Sequence, residues 1–153
     1  QQSTMPNKMN YSLPILTARE VAERFEIPLR ALKQYAELGI VKLAKPHPGT
    51  GTARRFSIKN IVQVYTAWNL QLMGINQKKI ETVKDQIIHA LNEFLKDTET
   101  DHRYLVLLPS YTEYGPMLDV ARSNTPRPLF IGIVSINLPV LLKNVNSLLN
   151  RKD

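Results

Sequence analysis

Apolar residues recur at helical spacing along the first two thirds of the chain, and they form short continuous runs along the last third. Residues 1–12 are polar and aperiodic, which predicts a flexible arm. The periodic pattern begins at Leu16. Thr17 and Glu20, three residues apart, form a capping box that predicts a helix running to about Phe25.

A second helix is predicted directly after the first. Residues 26–28 form a tight turn, Pro28 takes the first helical position, and Gly39 ends the helix. One face of this helix is apolar and the opposite face is polar. The apolar positions are Leu29, Leu32, and Tyr35 or Ala36. Two short helices joined by a tight turn predict a helix-turn-helix.

A basic β-hairpin, or wing, is expected to follow. Residues 40–43 and 53–56 have the pattern of two short strands, and the turn-rich residues 45–52 separate them. A third helix is predicted to begin at Ser57 and to end at Gly74. Its apolar stripe consists of Ile58, Ile61, Val62, Tyr65, Trp68 and Leu72.

A fourth helix is predicted from an Asn76 cap to about Leu95, which corresponds to roughly 30 Å at 1.5 Å per residue. Its apolar residues alternate between three- and four-residue steps, as in a coiled coil. This stripe is interpreted either as internal core or as the seam of a dimer. The expected dimerisation residues are Ile80, Val83, Ile87 and Phe94, with Ala90 on the same stripe.

The last third predicts a small β-α-β-α tail. Residues 104–108 and 129–134 have the continuous apolar pattern of buried strands, residues 116–122 suit a crossover helix, and residues 138–149 form an amphipathic final helix. Two strands cannot bury both faces of a sheet alone, so the tail must dock. We hypothesise that two copies join there, which would make the tail a second dimerisation unit.

The expected fold class is therefore mainly α with a small β component: a winged helix-turn-helix, a connecting helix and the β-α-β-α tail. After the arm of residues 1–12, residues 13–75 form the expected DNA-binding domain and residues 76–97 the connecting or dimerisation helix. Residues 103–153 form a small C-terminal dimerisation or effector domain. The boundary is expected at residues 98–103.

Positive charge is concentrated in one part of this 153-residue chain, whose formal net charge is +7. Residues 28–59 contain seven basic side chains against one acid, whereas the balance of residues 76–101 is negative. A phosphate-binding face needs its cations concentrated in this way, although an ordinary solvated surface is the alternative. The seven are Arg30, Lys33, Lys42, Lys45, Arg54, Arg55 and Lys59.

Several classes of function are not expected. The chain has no cysteine, which excludes disulfides and thiolate metal sites. His47, His89 and His102 share no metal-ligand spacing, so no metal is expected. Phosphate loops, nucleophile elbows and paired carboxylates are not visible, which argues against an enzyme. No apolar run reaches the length of a membrane span, and a cytoplasmic location without membrane contact is expected.

Four segments together resemble the MerR family of transcription regulators, and the resemblance covers roughly residues 13–88. They are residues 16–22, residues 27–35, Gly39-Ile40-Val41, and Arg54-Arg55-Phe56-Ser57. The resemblance implies a homodimer that places each second helix in a major groove and each wing on flanking phosphates. It further implies action at promoters with unusual spacing, with RNA polymerase as an additional partner. No cofactor is expected, since the sequence at Asp101-His102 does not suit cobalamin.

The expected contacts with double-stranded DNA lie on the second helix, around the wing and at the start of the first helix. Gln34 can pair with adenine in two hydrogen bonds. Tyr35 either packs beneath the wing or reaches a phosphate, and both interpretations stay open. The full set is Thr17, Arg19, Arg30, Lys33, Gln34, Tyr35, Lys42, Lys45, Arg54 and Arg55.

Two other functions remain open at this point. The same fold would serve an accessory protein of a mobile element, such as an excisionase-like or partition protein, which bends DNA without sensing anything. It would also serve a protein-interaction module that has lost DNA binding, and such a module would tolerate charge reversal at Arg54 and Arg55.

Overall fold

The structure is a computed structural model, and it describes residues 10–43, 55–113, 115–124 and 134–151. These residues form a mixed α/β fold of helices and two small antiparallel sheets, in agreement with the expected predominance of helix. The helices are α1 (Ala18–Phe25), α2 (Leu29–Glu37), α3 (Ile58–Leu72), α4 (Gln77–Thr82), α5 (Lys84–Lys96) and α6 (Leu138–Leu149). The strands are β1 (Pro14–Thr17), β2 (Arg55–Ser57), β3 (Tyr104–Thr112), β4 (Gly115–Ser123) and β5 (Val134–Asn137).

The capping box predicted for α1 is present. The Glu20 backbone N–H donates to Thr17 Oγ1 at 3.2 Å, and the Thr17 N–H donates to Glu20 Oε1 at 3.0 Å. The helix ends at Phe25, after which Glu26 adopts a left-handed conformation with φ 54°. A three-residue turn then leads into α2, where Pro28 is the residue before the first helical position and not the first position itself.

The end of α2 turns sharply at Gly39, whose φ of +74° lies in the left-handed region that favours glycine. The backbone N–H groups of Ile40 and Val41 both donate to the Tyr35 carbonyl, at 2.9 and 3.3 Å. These bonds close the end of the helix, so residues 40–43 do not form the strand predicted for them. The side chains of Ile40 and Val41 are buried in the core instead.

The partner of β2 is β1, a strand that the sequence pattern did not predict. The pairing is antiparallel, with Leu16 opposite Phe56 and Thr17 opposite Arg55. β1 has only four residues and begins at a proline, which explains why no strand pattern is visible in its sequence. Residues 44–54 of the predicted wing, including Lys45 and Arg54, lie outside the described residues.

Ser57 and Asn76 cap α3 and α4 as predicted. The prediction that Leu72 belongs to the apolar stripe of α3 is wrong, because its side chain is 67% exposed. The single 30 Å helix predicted after Asn76 is also wrong. It is interrupted at Val83, whose φ of −112° and ψ of 16° are not helical. Residues 77–96 contain no proline or glycine, so local sequence gives no sign of this break.

The described residues of the tail form β-β-β-α where β-α-β-α was predicted. Residues 116–122, predicted as a crossover helix, belong to β4, which pairs antiparallel with β3 and places Val120 opposite Leu107. β5 pairs antiparallel with the other edge of β3, giving the strand order β4-β3-β5. The predicted strand at residues 129–134 falls outside the described residues except for Val134. The final helix, α6, is confirmed.

One cluster of buried side chains extends through all three of the predicted domains. α6 packs against α3 and α1, and β4 contacts α5, so the tail docks on helices of its own chain. The residues proposed as a dimer seam belong to this cluster too: Ile80, Val83, Ile87, Ala90 and Phe94 are all buried within the single chain. The structure therefore supports the alternative that they are internal core.

Within the described ranges, no helix is both long enough and apolar enough to cross a membrane.

Candidate nucleic-acid interface

The two sides of α2 differ sharply in chemistry. Ala31, Leu32 and Tyr35 are buried in the core that α2 shares with α1, whereas Arg30 and Lys33 are exposed. Arg30 and Lys33 are three residues apart and therefore lie on the same face of the helix. Apolar packing thus fixes the helix and turns this cationic face outward.

Neither Arg30 nor Lys33 has an ion-pair or hydrogen-bond partner in the part of the chain that the structure describes. The exposed acid on the same helix, Glu37, lies four residues beyond Lys33 and does not form an ion pair with it. Both cations are consequently available to an external anion. A major groove lined by phosphates is one surface that fits an exposed basic helix.

Gln34 is less available than its neighbours. Its side chain is half-buried, and its Oε1 accepts a hydrogen bond from Gln77 Nε2 in α4 at 3.3 Å. Pairing with adenine in two hydrogen bonds requires both ends of the amide, so this bond would have to break first. The structure thus leaves Gln34 at the edge of the basic face and tied to α4.

Tyr35 is the clearest correction among the predicted contacts. Its side chain is 0% exposed, and its hydroxyl is hydrogen-bonded to Gln71 Oε1 in α3. Burial raises the pKa of Tyr35 to about 12. A hydroxyl in this position cannot touch a phosphate, so Tyr35 packs in the core and holds α2 against α3.

A second group of predicted residues meets at the start of α1. Arg55 is exposed and lies opposite Thr17 in the β1–β2 pair, while Arg19 is exposed on the first turn of α1. Hydrogen bonding of its carboxylate to the backbone and side chain of Thr17 holds the pKa of Glu20 below its usual value, and the charges of Arg55 and Arg24 lower it further. Arg55 thus stands beside a helix N-terminus, where anions are favoured.

Lys42 faces a different environment. Its ammonium group lies 3.9 Å from Asp85 Oδ1 on α5, and both side chains are largely exposed. Such a pair contributes little stability, but it places an acid beside the cation. Its backbone carbonyl accepts a hydrogen bond from Asn60 Nδ2 at 2.9 Å. Lys42 therefore contributes less to an anion-binding face than Arg30, Lys33 and Arg55 do.

Asn60 is a residue that the sequence reasoning missed. It forms a capping box with Ser57, whose N–H and hydroxyl both donate to Asn60 Oδ1 at 3.0 and 2.9 Å. The three-residue spacing was a visible signal, although the third position of such a box is more often Glu or Gln. Through its bond to Lys42, Asn60 fixes the position of β2 relative to the end of α2.

Comparison with models of known protein families gives no match, and comparison with curated proteins gives no relative. The described residues also contain no cluster of three or more histidines or carboxylates arranged to hold a metal ion. The features that bear on function are therefore the α1–α2 geometry and the exposed cations.

Proposed function

We propose that this protein binds double-stranded DNA with α2 as its recognition helix. The observation that carries the proposal is the outward face of α2, where Arg30 and Lys33 are exposed and have no partner among the described residues. The short turn between α1 and α2 and their shared core are typical of a helix-turn-helix, whose second helix enters the major groove. Arg55 and Arg19 add cations for flanking phosphates.

We further propose that the protein is a MerR-type transcription regulator, acting as a homodimer at a promoter together with RNA polymerase. This finer proposal is supported by the sequence resemblance over residues 13–88 and by the order of helices in that region. Because Ile80, Val83, Ile87 and Phe94 are buried within one chain, a dimer would use another surface.

The test is binding of a fluorescent duplex of mixed sequence, followed by anisotropy over a range of salt concentrations. The charge-reversal variant Arg30→Glu/Lys33→Glu should bind at least about tenfold more weakly. The negative slope of log affinity against log salt concentration should become shallower by about 2, because two phosphate contacts are lost. The matched control, Lys143→Glu/Arg151→Glu, changes the net charge equally at exposed positions on and just after α6.

The control variant should keep most of the wild-type affinity. Equal losses in the two variants would contradict the proposal, because they would show a response to net charge and not to α2. Absence of binding to any duplex at low salt would reject it altogether and would favour a protein-interaction module. Selection of bound sites from random duplexes, followed by footprinting at a promoter and at an attachment site, separates a regulator from a mobile-element accessory protein.

A further inference from the structure

Two adjoining clefts lie behind β2, on the side of the molecule where α3 and α5 meet. Their cavity volumes are about 270 and 250 Å³, and both are lined by Ser12, Lys59 and Asn92. Gln63 lies in the wall of the first cleft. Because the two clefts share three residues, they form one groove of the size that small-molecule sites in proteins have.

The wall of this groove contains two buried amide oxygens without partners. Gln63 is only 4% exposed, and its Oε1 has no hydrogen-bond partner among the described residues. Asn92 Oδ1 is likewise buried and without a partner in that part of the chain. Buried acceptors of this kind are normally satisfied, so these two oxygens are left to accept hydrogen bonds from a molecule in the groove. Because each has less than 1 Å² of accessible surface, the two amide side chains must turn toward the groove to do so.

The groove also has a positive side. Lys42, Lys59 and Lys96 line it. Lys42 and Lys96 already have acids nearby, with Lys96 Nζ at 2.9 Å from Glu93 Oε2. The Lys59 ammonium has no ion-pair partner within the described residues. An anionic group entering the groove would therefore find its counter-charge at Lys59.

Hydrogen bonds connect several of the segments around these groups. Asn60 also lies in the wall. Its Oδ1 accepts hydrogen bonds from Ser57, and its Nδ2 donates one to the Lys42 carbonyl. The Lys59 backbone N–H donates to the Tyr11 carbonyl at 2.9 Å, which ties the segment before β1 to α3. Hydrogen bonds thus join three of the chain segments that line the groove, and α5 forms its remaining wall.

We propose that this groove binds a small organic anion that carries hydroxyl or amino donors. The donors bond to Gln63 Oε1 and Asn92 Oδ1, and the anionic group pairs with Lys59. A sugar phosphate and a hydroxylated carboxylate both have this chemistry. Neutral polyols lack the charge, and simple inorganic anions lack donors at the right distance from it.

The test compares the melting temperature and calorimetric affinity of the full chain with four probes at millimolar concentration. They are ribose 5-phosphate, tartrate, ribose as the neutral polyol, and sulfate as the anion without donors. Ribose 5-phosphate or tartrate should raise the melting temperature by mass action, and ribose and sulfate should not. If ribose 5-phosphate binds more tightly than tartrate, the anionic group is a phosphate; if tartrate binds more tightly, it is a carboxylate.

Two variants locate the site. Gln63→Leu and Lys59→Met should each weaken the binding probe by about tenfold or more, whereas Lys143→Met, an exposed control on α6, should leave it unchanged. Gln63→Leu should fold as stably as the wild type without ligand, because it replaces a buried amide, whose oxygen is unsatisfied, with an apolar group of similar size. No response to any probe, or equal binding by all variants, would overturn the proposal. The measurement contains no DNA, so it is independent of the proposed function.

Discussion

The helices α1 and α3 both begin with a capping box, but the two boxes lie in different environments. In both, the residue before the helix and the residue three positions later exchange hydrogen bonds. At α1 the pair is Thr17 and Glu20, partly exposed and close to two arginines. At α3 the pair is Ser57 and Asn60, both buried. One box therefore contains a charge and the other is neutral.

The difference follows from the cost of burying a charge. Position 60 is buried, and taking a carboxylate out of water costs far more free energy than burying a hydrogen-bonded amide. The amide has a further advantage, because its NH₂ group is left to donate to the Lys42 carbonyl. The exposed box caps one helix, whereas the buried box also joins two segments of the chain.

The largest effect is expected when the buried box is removed. Asn60→Ala leaves the Ser57 N–H and the Lys42 carbonyl without their partner, and we expect a loss of about 2 to 4 kcal/mol in the free energy of unfolding. Thr17→Ala, which removes the cap residue of the exposed box, should cost about 1 kcal/mol. Urea denaturation measures both. Equal losses would show that burial does not distinguish the boxes.

Tyr35 extends the comparison to a polar group that is buried like Asn60 and ionisable like Glu20. Its pKa is raised from 10.0 to about 12, so its stabilising contribution is complete below pH 10 and is lost between pH 10 and 12. This loss should reach roughly 2 to 3 kcal/mol relative to Tyr35→Phe, which does not titrate there. Parallel stability curves of the two proteins above pH 10 would contradict the burial argument.

The smallest effect is expected at Glu20. Because its pKa is held below 4.5, its contribution is present above that pH and is lost as the pH falls through the lowered value. Glu20→Gln keeps an oxygen that can accept from the Thr17 N–H but removes the charge. The stability difference between wild type and variant should therefore shrink in acid and at high salt. Thermal melts at several pH values test this, and a constant difference would exclude the electrostatic contribution.

The comparison also explains what was predictable from the sequence. The starts of α1, α3 and α4 were predicted correctly, since Thr17, Ser57 and Asn76 act within their own first turns. Strand β4 was not predicted, although Leu118 and Val120 alternate with the exposed Asp119 and Ala121. Its partner β3 was predicted as a strand, but the antiparallel pairing that makes β4 a strand forms between residues on opposite sides of a turn. A pattern of so few residues suits either a helix or a strand.

The candidate interface shows the same limit. The exposure of Arg30 and Lys33 followed from helical periodicity. Periodicity also placed Tyr35 or Ala36 on the apolar face. The bonds of Tyr35 to Gln71 and of Gln34 to Gln77 did not follow from it, because each partner lies more than 30 residues further along the chain. The groove at Gln63 and Asn92 had no signal in the sequence at all, since α3 and α5 form it together.

Arg24 in α1 donates a hydrogen bond of 2.7 Å to the Leu149 carbonyl at the end of α6, 125 residues away. Together with the packing of α6 on α1 and α3, this bond means that the last helix stabilises the position of the first one. The α1–α2 pair is consequently not a module that can be excised or grafted. Removing α6 from the C-terminal end would destabilise α1, which lies near the opposite end of the polypeptide.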